Sequence, residues 1–234
     1  MTIPNMTTPN DSHRSIFQIG AAGGVGRRLT ALLTEQGHHV TGMHRAGGQD
    51  LVIREAGGTP VTGDLIDDSV ATLAERLAGH DAVVFSAGAH GTGAEMTTAI
   101  DGRGLEKAAD AAVTSGVRRF VLVSVFMDAL REQPRSDGFE HYMRVKRAAD
   151  IHLAGTDLDF LIVRPGDLLD DAGTGRVNAG VSIPYGTVPR DDVAAFIATS
   201  LFHPDLNRTD IELTAGDTPI DEAVAALTPR PWHP

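Results

Sequence analysis

Only two tyrosines and two lysines occur in the 234 residues, and one of each, Tyr142 and Lys146, stands four positions apart. With so few of either type, a chance pairing at that spacing is about a 2-in-100 event. On a helix, positions i and i+4 share a face, so the phenol and the ammonium would lie together. A neighbouring ammonium favours the phenolate, which predicts a tyrosine pKa below its ordinary value, in range for proton transfer. An exposed aromatic–cation pair on a surface helix would show the same spacing without any chemistry. Arginine outnumbers lysine 18 to 2, so arginine is the routine exposed cation here and each lysine is informative.

The run from Gly20 to Gly26 supplies a second constellation. It follows an apolar burst and precedes an amphipathic stretch, so it reads as the turn from a strand into a helix. Gly20, Gly23 and Gly26 give G-x-x-G-x-x-G, while Gly20, Gly24 and Gly26 give G-x-x-x-G-x-G. A turn without side chains admits a pyrophosphate to the backbone, and the helix start offers unpaired N–H groups and a positive dipole end. Gly20, Ala22, Gly23, Gly24, Val25 and Gly26 are therefore candidate dinucleotide contacts. An ordinary strand-to-helix turn is the bland alternative.

Arg45 falls about 20 residues past these glycines. A domain that binds NAD usually presents an acid there for the ribose 2′-hydroxyl. No acid occurs between Glu35 and Asp50. Arginine can pair with a 2′-phosphate that a carboxylate would repel, so the expectation is NADP (as NADPH) in preference to NAD.

The elements that must position these residues alternate along the chain. Strands are predicted near residues 15–20, 38–45, 59–63, 81–88, 119–126, 158–164 and 210–214. Helices are predicted near 25–36, 49–56, 95–115, 139–154, 193–201 and 219–227, with one more carrying Val70, Leu73 and Leu77 and capped by Asp67 or Asp68. Arg190-Asp191-Asp192 would cap the helix from Val193. This repetition predicts an α/β fold, a Rossmann-like doubly wound parallel sheet in a single domain. Residues 15–227 form that domain, 1–14 read as a disordered tail and 228–234 as a loose end. Residues 167–188, glycine-rich and without helical period, should form loops and a short strand covering a substrate.

The formal charge of −11 argues against a sequence-independent grip on nucleic acid or an anionic membrane. No apolar run approaches the ~20 residues that span a bilayer. With no signal-peptide pattern, a cytoplasmic protein is expected. Cysteine is absent, and the ten histidines show no ligand spacing, so no metal is expected.

The glycine spacing, the Tyr142/Lys146 pair and the run Val163-Arg164-Pro165-Gly166 together resemble atypical members of the short-chain dehydrogenase/reductase superfamily. The likeness is to the NmrA-like and YwnB/YhfK-type subgroup and covers roughly Phe17 to Leu227. It implies that Lys146 also binds the nicotinamide ribose. Asp64 and Leu65, in Gly63-Asp64-Leu65, would contact the adenine, although Asp64 would serve equally as a turn residue or helix cap. Ala87 and Gly88 would let the adenosine ribose pass, while Pro165, Gly166 and Leu168 would wrap the nicotinamide. The family places a carbonyl-polarising hydroxyl one or two positions after Ser124, where Val125 and Phe126 stand here, so either Ser124 serves through a local shift or the site lacks that hydroxyl. An NADP(H)-dependent oxidoreductase of a small carbonyl or hydroxyl substrate, monomeric or homodimeric, is the expectation. A non-catalytic NADP(H) sensor or a nucleotide-dependent epimerase or dehydratase are the alternatives.

Overall fold

The computed structural model describes residues 13–89, 91–130, 136–203 and 205–227. Most of the expected N-terminal tail and all of the expected loose end lie outside these. Strands β1 (Ser15–Ile19), β2 (His39–His44), β3 (Thr59–Thr62), β4 (Ala82–Phe85), β5 (Arg119–Val123) and β6 (Asp159–Pro165) alternate with helices α1 (Gly24–Glu35), α2 (Gln49–Glu55) and α3 (Val70–Leu77). Helices α4 (Ala94–Thr97), α5 (Leu105–Ser115) and α6 (Asp137–Ala154) continue the series, with a π-helical turn (Thr98–Gly104) between α4 and α5. Short strands β7 (Asp167–Leu169), β8 (Arg176–Gly180) and β9 (Thr187–Pro189) precede α7 (Arg190–Ser200), β10 (Thr209–Ala215), β11 (Thr218–Pro219) and α8 (Ile220–Ala226).

The main sheet has the order β11-β8-β10-β6-β5-β4-β1-β2-β3, and a two-stranded sheet pairs β7 with β9. Its strands from β3 to β10 run parallel, whereas β8 is antiparallel to β10 and β11 to β8. The α/β doubly wound arrangement is thus as the sequence implied. Side chains of the central strands alternate between two cores, as a pleated strand covered on both faces requires. Ile16, Val84, Val121 and Val163 pack under α1, α7 and α8. Phe17, Val83, Phe120 and Ile162 pack under α3, α5 and α6.

Three local readings need correction. Ser69, not Asp67 or Asp68, caps α3, its hydroxyl accepting from the Thr72 N–H at 3.1 Å. Asp68 instead accepts from the Asp64 N–H and so pins the preceding turn. Helix α7 begins at Arg190 itself, and the buried Asp192 carboxylate accepts the N–H groups of Thr174 and Gly175, tying down the segment before β8. Residues 167–188 hold three strands rather than one. Glycines spaced through this stretch hide the two-residue period that a strand shows.

The chain order reverses at β1, whose neighbours are β2 on one side and β4 on the other. In a doubly wound sheet the crevice beyond the carboxyl ends of two such strands is the natural ligand site.

Candidate functional site

The turn after β1 is held by steric necessity. Gly20 adopts φ +88°, and a Cβ there would stand 2.5 Å from the Ala87 nitrogen. At Gly26 a Cβ would fall 2.1 Å from the Gly20 carbonyl oxygen, so α1 packs on the turn more closely than any side chain permits. Buried Gln18 braces the turn from below, donating to the Gly26 carbonyl at 2.9 Å and accepting from the Thr30 hydroxyl at 2.8 Å.

A cavity of about 330 Å³ opens above this turn. Gly20, Ala22, Gly23, Arg45, Gln49, Asp64 and Leu65 are among the residues that line it. Arg45 directly follows β2, and its N–H donates to Gln49 Oε1 at 3.1 Å, which fixes the backbone from which the guanidinium springs. Asp64 also closes a local turn, one carboxylate oxygen accepting from the Ile66 N–H at 2.7 Å. Its turn role and its place on the cavity wall therefore coexist.

A second cavity of about 540 Å³ adjoins the first, and both are walled by Ser86, Ala87 and Gly88. Tyr142, Lys146, Ser124 and Leu168 line it. Helix α6 delivers Tyr142 and Lys146 from one face and starts at a Ser136 cap that accepts from the Phe139 N–H. Five of the sequence candidates lie off both walls. Val25 is buried in the core beneath α1, Gly26 only close-packs, and Gly24 lies under the Arg190 side chain. Pro165 ends β6, and a Cβ on Gly166 would overlap the Gly186 carbonyl. Gly166 thus lets the chain after β6 meet the segment leading into β9.

Lys146 is buried, with Nζ donating to the Val123 carbonyl at 3.2 Å and standing 3.7 Å from Asp101 Oδ1. Burial lowers its pKa, while Asp101 and Asp150 oppose the shift. Asp101 rises from the π-helical turn and accepts the Ala89 N–H at 2.9 Å. π-helical turns recur where a helix must aim a functional side chain.

The expected fall in the Tyr142 pKa is reversed. Burial first, then the charges of Asp101 and Asp150, push the phenol well above its ordinary value. Counting only the lysine left out the two carboxylates that share its surroundings. Ser124 differs too, because its hydroxyl donates to Asp150 Oδ1 at 2.7 Å and its proton is already committed. Arg164 donates to the other Asp150 oxygen at 3.1 Å and pairs onward with Asp210. Two residues later Phe126 is buried against the Tyr185 ring, centroids 5.3 Å apart. That position anchors the segment ahead of β9.

Sequence reasoning missed Asp101 and the role of Asp150. For Asp150 a signal existed, since Tyr142, Lys146 and Asp150 follow one another at four-residue steps. For Asp101 none did, because a π-helical turn shifts the helical phase. Among the described residues no group of histidine and acidic side chains could hold a metal ion, and no helix is long and apolar enough to cross a membrane.

Comparison with known proteins places the fold in a family. The chain is 36% identical over 214 residues to the uncharacterized sugar epimerase YhfK of Bacillus subtilis, covering 91% of this chain and 99% of that protein. An NAD-dependent epimerase/dehydratase candidate from Bacillus halodurans superposes with a TM-score of 0.83 at 33% identity, over 92% of this chain and all (100%) of the other. The anaerobillin reductase ChuY of Escherichia coli superposes with a TM-score of 0.72 at 27% identity, over 87% and 98% of the two chains. The NAD(P)H-binding family profile matches residues 20–204, the span from the first glycine of the turn to the end of α7 and just beyond, and the chain belongs to that family.

Proposed function

We propose that the protein is an NADP(H)-dependent oxidoreductase acting on a small carbonyl or hydroxyl substrate. The observation that carries this reading is the shared wall at Ser86–Gly88, which joins the cavity lined by the Gly20–Gly23 turn and Arg45 to the cavity lined by Tyr142 and Lys146. The residues present fit a dinucleotide. Gly20 and Gly26 keep clear a cradle that any Cβ would disrupt, and the opening lies at the carboxyl ends of β1 and β4. Ala22, Gly23 and the first N–H groups of α1 would receive the pyrophosphate, Asp64 and Leu65 the adenine, and Arg45 the 2′-phosphate. Bound there, the nicotinamide supplies or accepts a hydride.

The chain's own residues would manage the proton. A phenol whose pKa is raised stays protonated, so Tyr142 would hold a proton for a substrate oxygen during reduction, as a weaker acid than a free phenol until a bound ligand changes its surroundings. Lys146 would orient the nicotinamide ribose, with Asp101 as its counter-charge. Leu168 and the segment behind it would exclude water from the second cavity.

A second reading, a dinucleotide-binding sensor without turnover, is favoured by the committed Ser124 hydroxyl and by Phe126 two residues on. One experiment separates the two. NADPH oxidation is followed across a panel of small carbonyls, and a sugar nucleotide is assayed separately by product analysis, since epimerisation leaves the cofactor unchanged overall and the Bacillus subtilis relative carries epimerase in its name. Turnover that falls a hundredfold or more in Tyr142→Phe, with NADPH affinity kept, supports the enzyme, since positioned acid catalysis contributes about 10²–10⁴-fold. Tight NADPH binding with no oxidation by any substrate supports the sensor.

A further inference from the structure

We propose that Arg190 is a phosphate-gripping residue of the dinucleotide site, its guanidinium closing on the pyrophosphate held at the first turn of α1. This rests on the nucleotide site described above and adds a residue from a distant part of the chain. Arg190 opens α7, yet its Cδ and Nε atoms lie 2.8 Å from where a Gly24 Cβ would stand. The missing side chain at residue 24 is what admits the arginine to the start of α1.

The carboxylates beside that position are Asp191 and Asp170, both open to solvent, and Asp170 is shared between Arg28 and Arg190, which leaves room for a further anion. The first turn of α1 contains no acid, and a cation at a helix N-terminus opposes the dipole. Two guanidiniums meet there. Arg28 is accounted for, since Nη1 donates to the Gly24 carbonyl at 2.8 Å and Nε to Asp191 at 2.5 Å. Arg190 uses Nη1 alone, toward the Leu168 carbonyl and Asp170 Oδ1, each at 3.1 Å. Among the described residues its Nε and Nη2 protons meet no acceptor. Asp170 is 72% exposed, so its compensation is weak and screened. A pyrophosphate beside Gly23, on the cavity wall next to Gly24 and the arginine over it, would take the unused donors in the forked geometry that arginine offers to phosphate oxygens.

The test is an equilibrium titration of the full-length protein with NADPH, NADH, ADP and adenosine 2′-monophosphate, at low and high salt. ADP carries the pyrophosphate without the nicotinamide half, and adenosine 2′-monophosphate carries neither. In Arg190→Ala, affinities for NADPH, NADH and ADP are expected to fall about tenfold each, with a shallower salt dependence, while adenosine 2′-monophosphate binds as before. Arg190→Gln, which keeps a polar side chain along the aliphatic stem and loses the charge, should show the same pattern and guards against a folding defect in the alanine variant. Unchanged ADP binding in both variants overturns the proposal. So does a loss confined to the full dinucleotides, which would mean that Arg190 acts through Leu168. A wild-type protein that binds none of the four probes would remove the nucleotide site itself, a different failure.

Discussion

Asp101 and Lys146 form a buried ion pair, Oδ1 to Nζ 3.7 Å, with both side chains under 5% exposed. Removing one partner of such a pair strands a charge out of water, at about 3–5 kcal/mol. Asp101→Asn should therefore lower the unfolding free energy by about that much in denaturant titration, and Lys146→Met by a similar amount. The double variant should lose less than the sum of the two, because no charge is then left alone.

Ser124→Ala isolates the Asp150 hydrogen bond, with an expected loss of about 1–3 kcal/mol at neutral pH. In the native protein burial raises the Asp150 pKa above its ordinary 3.8, against the pull of Ser124 and Arg164. A raised folded pKa means that the folded state binds the proton more tightly than the unfolded chain. This group's contribution is therefore complete below pH ~3.8 and is lost as pH climbs through the folded value. The alanine variant raises that value further, so its penalty should be largest at neutral pH and shrink in acid. Urea unfolding of both proteins across pH 3–7 reads this directly.

Arg45→Ala should weaken NADP(H) far more than NAD(H), by about tenfold or more for a lost charged contact to phosphate. Equal losses for the two nucleotides would refute the 2′-phosphate assignment.

For carbonyl reduction with NADPH, the raised Tyr142 pKa predicts a flat alkaline limb. The phenol stays protonated through its ordinary pKa of 10.0, so kcat/KM should show no phenolic decline up to about that pH. A fall in rate with a midpoint near pH 8 that disappears in Tyr142→Phe would contradict the assignment.

Gly20→Ala and Gly47→Ala make a matched pair. The first must fit a Cβ 2.5 Å from backbone at φ +88°, whereas the second meets nothing within 4 Å. Gly20→Ala should cost about 1–3 kcal/mol and most of the nucleotide affinity, while Gly47→Ala should be nearly silent in both.

Much of the sheet was legible because its strands are apolar runs punctuated by Gly37, Gly116 and Gly155. The Gly20–Gly26 turn and the Tyr142–Lys146 spacing are local patterns that survive in one dimension. What escaped depends on distant approach. Asp101 reaches Lys146 across 45 positions, Phe126 meets Tyr185 across 59, and Arg190 crosses to Gly24, where only a missing side chain marks its place. The Tyr142 shift was misjudged for the same reason, because both opposing carboxylates had to be placed in space first.

The strip Ser86-Ala87-Gly88 has a further consequence. It is the saddle between two basins, and a ligand that fills both must cross it at one fixed span. Half-molecules occupy one basin each and gain nothing from the other, whereas a linker of the right length turns the second contact into an intramolecular event. On the proposed reading the site would measure its ligand end to end, and two halves supplied separately should not match the whole at equal concentration.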